Sequence, residues 1–97
     1  MTDKKPTNGE VPEETLFEFP CEFPLKAMGR NENDFQALVE KIVLAHADRF
    51  EDKPSTSSPS GSGNFVSVTV TIEALSKAQL DRIYQELTDN DRVMMAL

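Results

Sequence analysis

The run Asn64–Ala74, NFVSVTVTIEA, constrains this chain more than any other stretch. Val66, Val68, Val70 and Ile72 alternate with Ser67, Thr69, Thr71 and Glu73. That period of two belongs to a strand with one face in an apolar core and the other turned to something polar. Helix-like segments lie on either side of it, so the strand is expected at the centre of a small sheet whose second face is uncovered. What meets that face, or the edges of the sheet, is the functional question.

The flanking segments supply the other elements. Leu16–Gly29, LFEFPCEFPLKAMG, is rich in Phe but carries Pro20 and Pro24. Proline lacks the ladder N–H, so a continuous strand is expected from about Phe23 or Leu25 until Gly29 ends it. Phe23, Leu25 and Ala27 would share one side, with Lys26 and Met28 on the other. Arg30–Ala47 has Phe35, Leu38, Val39, Ile42, Val43 and His46 at helical spacing, with Asn33 and Gln36 as a capping box. A short polar edge strand is expected at Asp48–Lys53, then a flexible loop over 54–63, PSTSSPSGSG. Ser76 and Gln79 form a second capping box, ahead of a helix with Leu80, Ile83, Tyr84 and Leu87 as its apolar stripe. Val93–Leu97 reads as a last, apolar strand.

The order β-α-β-β-α-β, with right-handed crossovers, predicts a ferredoxin-like α+β sandwich: a four-stranded antiparallel sheet with two helices on one face. The first and third strands would be central, the second and fourth edges. Residues 16–97 would form this single domain. Residues 1–15 are polar, with two prolines and a glycine, and are expected to be a disordered tail.

Composition narrows the function classes. Ten basic against seventeen acidic residues give a net charge of −7, and the basic ones are scattered. Nucleic-acid binding needs clustered Lys and Arg, and anionic membranes also favour basic surface, so neither partner is expected. One cysteine excludes an internal disulfide, and no run is long and apolar enough to span a bilayer. The expectation is a soluble cytoplasmic protein.

No residue set announces a reaction. His46 is the only histidine, and His46 with Asp48 is too little for a metal site. Cys21 has Glu18 and Glu22 as its nearest charges, the wrong sign for a thiolate nucleophile. Gly61-Ser62-Gly63 leads into a strand rather than a helix, so it is not a phosphate loop. Ser67 lacks the glycines of a nucleophile elbow. No catalytic residue, metal or cofactor is expected. Two places stand out for binding. One is the open sheet face, with Lys26 and Met28 beside Ser67, Thr69 and Thr71. The other is the turn Gly29-Arg30-Asn31, where a helix N-terminus and a guanidinium could receive a carboxylate.

Three blocks carry a family resemblance: F-P-x-x-F-P-L-K-A-M-G at Phe19–Gly29, G-N-F-x-S-V-T-V-T at Gly63–Thr71, and R-V-M-M-A-L at Arg92–Leu97. Together they resemble the YbeD-like family of small bacterial proteins, over roughly Leu16 to Leu97. The resemblance implies the ferredoxin-like fold and a similarity to the ACT regulatory domains that bind amino acids. It places a ligand at Gly29, Arg30 and Asn31, often across a homodimer interface, and points toward lipoate metabolism through neighbouring genes. The resulting expectation is a non-enzymatic regulatory module for a small metabolite or a partner enzyme. The alternative is a protein-interaction module acting through edge-strand pairing or the open face.

Overall fold

The computed structural model describes residues 18–97. The expected tail over 1–15 lies outside them. The elements are β1 (Cys21–Arg30), α1 (Phe35–Leu44), β2 (Thr56–Ser60), β3 (Phe65–Ala74), α2 (Lys77–Asp89) and β4 (Val93–Ala96). The four strands form one antiparallel sheet in the order β2-β3-β1-β4, with both helices in the core against one face. This is the ferredoxin-like α+β arrangement.

Alternation in β3 builds the core. Val66, Val68, Val70 and Ile72 are all buried, and opposite them on β1 stand Gly29, Ala27, Leu25 and Phe23. Phe35, Val39, Ile42 and Val43 from α1 and Leu80, Ile83 and Leu87 from α2 close over this layer. Each large aliphatic or aromatic side chain so buried contributes about 1.5–3 kcal/mol before the entropic cost of folding.

β1 starts earlier than the prolines suggested, at Cys21, and Pro24 pairs with Thr71 inside it. Lys26 exchanges both backbone bonds with Leu97, its N donating at 3.1 Å and its O accepting at 2.8 Å. Alternation puts the missing N–H of Pro24 on that same β4 side, where the sheet has no partner strand at its register, so no ladder bond is lost.

The second strand is displaced from its expected place. Within Asp48–Lys53 only Arg49 bridges to β3, at Ile72, because Glu51 (φ 50°) and Asp52 (φ 58°) turn left-handed and break the extended run. The edge strand comes instead from the expected loop over 54–63: Thr56, Ser58 and Ser60 pair with Thr69, Ser67 and Phe65. Gly61 and Gly63, at φ 60° and 91°, turn the chain into β3.

Helix α1 is shorter than the expected Arg30–Ala47. Arg30 stays in the sheet opposite Phe65, and residues 31–34 form the turn. Neither Asn33 nor its Gln36 partner caps the helix. Asp34 holds the N-cap position without a side-chain cap bond, and Gln36 donates to Ser55 Oγ at 3.0 Å. At α2 the expected box forms: Ser76 Oγ accepts from the Gln79 amide at 3.1 Å.

Candidate functional site

Alternation sorts the proposed residues cleanly. On the uncovered sheet face, Lys26 stands opposite Thr69 and Met28 opposite Ser67, with Thr71 next along β3. All five expected open-face residues therefore share that face. Arg30 and Phe65 extend it as a facing pair at one end, and Glu22 and Glu73 at the other. From β4, Met95 stands opposite Met28, and Leu97 is bonded beside Lys26. The face thus has a hydroxyl half over β2 and β3 and an apolar half where β1 meets β4.

The apolar half runs into an edge. Among the described residues, the large apolar side chains left exposed are Leu75, Met94, Met95 and Leu97, and three of these four lie in the last four positions of the chain. Backbone groups of Met95 and Leu97 turn inward to β1, and by alternation those of Ala96 point out from the sheet. A bulge between Met28 and Gly29 makes Met94 the extra residue of β4.

Gly29, Arg30 and Asn31 are neighbours in sequence, but they do not share one site. Gly29 is buried on the helix side of the sheet; a β-carbon there would stand 2.5 Å from both the Arg92 carbonyl oxygen and the Phe35 ring. Arg30, opposite Phe65, is on the open-face side of β1. Asn31 ties the turn to the β2–β3 hairpin: its backbone N donates to Asn64 O at 2.9 Å and its Nδ2 to Gly63 O at 2.9 Å.

Arg92 dominates the electrostatics of this corner. It donates to Glu32 at 2.8 Å and to both oxygens of Asp34, at 2.6 and 3.2 Å. The Arg92 hydrogen bond holds the Asp34 carboxyl below its ordinary value, and the same pairing raises the guanidinium. This clamp joins the β1–α1 turn to the α2–β4 turn. No local pattern signals it, since the partners are 58 and 60 residues apart.

Two hollows lie at opposite ends of the molecule. One, about 190 Å³, is lined by Arg30, Glu32, Asp91, Arg92 and Met94. The other, about 520 Å³ and open to solvent, is lined by Leu44, Ala47, Asp48, Arg49, Asp52 and Glu73. Ligand pockets are enclosed, mostly apolar and about 300–1,000 Å³. The first is too small for that class and the second has three carboxylates in its wall.

His46 sits just past α1, its Nε2 2.6 Å from Glu86 Oε1. Cys21 is a free thiol at the start of β1. Among the described residues, no three His, Cys, Asp or Glu side chains are grouped to hold a metal, and no helix is long and apolar enough to cross a membrane.

Residues 14–97 match the family described as a protein of unknown function, DUF493. The chain belongs to the DUF493 family. Its curated relatives carry the name UPF0250 protein. The chain is 42% identical to one from Nitrosomonas europaea over 88% of its own length and 98% of that relative, and 35% identical to one from Ralstonia nicotianae over the whole of both. These are the YbeD-like proteins that the three sequence blocks resemble. The solution structure of protein HP0495 from H. pylori is similar in fold, with a TM-score of 0.65 at 15% identity, covering 99% of this chain and 98% of that one. The DUF493 family is one of uncharacterised bacterial proteins, so membership supplies the fold and no activity.

Proposed function

We propose that this DUF493 protein is a non-enzymatic regulatory module that docks on a protein partner through the outer edge of β4 and the apolar half of the open sheet face. One observation carries the reading. Met94, Met95 and Leu97 are exposed together on an edge strand whose Ala96 backbone groups point outward. An added strand gains affinity from such an edge and selectivity from the side chains next to it. Edge strands are commonly guarded by charge; Val93–Leu97 carries no charged side chain. Affinity capture with the intact chain and with Met95→Lys tests it. A protein retained by the first and lost from the second supports the reading; identical retention by both contradicts it.

A small carboxylate ligand at the β1–α1 turn is the second reading. Its support is Arg30, an exposed guanidinium at the rim of the smaller hollow with no ion-pair partner among the described residues. Titration with amino acids and lipoate-type acids should then shift the amides of 28–34. Silence across that panel removes the ligand from the account and leaves the docking edge.

A further inference from the structure

We infer that the partner strand taken by the β4 edge is acidic: it sets a carboxylate beside Leu97, where Lys26 meets it, and an apolar side chain beside Met95. The inference rests on the docking reading above and gives that partner its chemistry.

The edge decides which side chains of an added strand face which residues. Lys26 and Leu97 exchange backbone bonds, so Ala96, one step earlier, turns its N–H and C=O away from β1. An added strand bonds there. Its residue opposite Ala96 points to the helix side, because Ala96 pairs with the buried Ala27. The two neighbours of that residue point to the open face, one beside Leu97 and one beside Met95.

These two positions meet different chemistry. Behind Met95 stands Met28, so that position lies on adaptable thioether surface and takes an apolar side chain. Behind Leu97 stands Lys26, which is exposed. The added backbone runs two strand spacings from β1, ~10 Å across the sheet. A lysine and a glutamate side chain close that gap between them, with their stems lying along Leu97.

Lys26 is free for this contact. Arg49 pairs with Glu40, Lys53 with Glu22, and Arg92 with Glu32 and Asp34; Lys26 has no ion-pair partner among the described residues. Glu22 and Glu73 share its face, but they form one row four residues along β1, ~13 Å away. The net charge of −7 does not oppose an acidic partner here. At physiological ionic strength charges act over about 8 Å, and the neighbours of Lys26 on the face, Pro24, Met28, Thr69 and Leu97, carry no charged side chain. An occupant without a carboxylate would cover the Lys26 ammonium and leave it unpaired, which costs binding energy. Val93–Leu97 holds no acidic side chain, so β4 of a second copy does not meet this requirement.

Three blocked heptapeptides test the inference: Thr-Glu-Thr-Leu-Thr-Glu-Thr, whose pattern reads the same in both strand senses, and its counterparts with glutamine or lysine in place of glutamate. Each is titrated into the intact chain while the Ala96 amide is followed by NMR. The glutamate peptide should move that amide and bind about tenfold more tightly than the glutamine peptide, as exposed ion pairs allow. The lysine peptide should bind more weakly still. In Lys26→Glu, a change at an exposed position, the order should reverse. Arg30→Glu makes the same charge change at the end of the face and should keep the preference for the glutamate peptide. A glutamine peptide that binds as tightly as the glutamate peptide overturns the acidic partner and leaves the docking edge standing. A reversal as large in Arg30→Glu as in Lys26→Glu also overturns the pairing at Lys26. An Ala96 amide that no peptide moves at millimolar concentration overturns the edge itself.

Discussion

The ring of Phe35 fills the space that a β-carbon on Gly29 would need, its Cε1 coming within 2.5 Å of that position. The carbonyl oxygen of Arg92 closes the same space from the turn before β4, also at 2.5 Å. Gly29 is thus the point where β1, α1 and β4 approach one another, and where β1 and β4 slip register. The glycine is required by close approach, and its absent side chain lets the edge strand seat.

Gly29→Ala should therefore destabilise the fold by about 1–3 kcal/mol, as overpacking at a closed site does. Urea unfolding checks it: the midpoint falls while the slope holds. An unchanged midpoint would mean that Phe35 and the α2–β4 turn can give way freely.

Gln79 is the one polar side chain fully inside the helix layer among the described residues. Its Oε1 accepts from Leu75 N at 2.7 Å and its Nε2 donates to His46 O at 2.9 Å, joining the start of α2 to the end of α1. Gln79→Ala leaves both backbone groups without a partner and should cost about 1–3 kcal/mol. Ser76→Ala, which removes only the cap, should cost about 1 kcal/mol. Equal losses in the two variants would show that the interhelix bond adds nothing.

The sequence displayed what periodicity can display. β3 and the two apolar helix stripes were legible because their buried residues recur at 2 and 3.6. The open-face set was legible for the same reason: Lys26, Met28, Ser67, Thr69 and Thr71 are the alternate positions of strands already found. β2 was not, because no residue of Thr56–Ser60 is buried and a strand with no buried face leaves no alternation to read. Gly29, Arg30 and Asn31 looked like one site because they are consecutive, yet a strand sends neighbours to opposite faces. The Arg92 clamp depends on tertiary approach alone.

That clamp has a pH signature. Its hydrogen bond to Arg92 lowers the Asp34 pKa below the ordinary 3.8. A depressed carboxylate contributes stability at neutral pH that is lost as pH falls through its folded-state pKa, so the effect is confined to acid below pH 3.8. In Arg92→Ala the Asp34 carboxyl should titrate back toward 3.8, as followed by NMR. Because the pair is exposed, added salt should shrink the difference. A titration identical in both proteins would mean the pair does not persist in solution.

The docking edge is tested most directly by amide hydrogen exchange along β4, in the chain alone and with the captured partner bound. The Ala96 amide should exchange freely in the chain alone and slow when the partner is bound. Met95 and Leu97, already bonded to β1, should change little. An Ala96 amide left unprotected with that partner present would contradict docking at this edge.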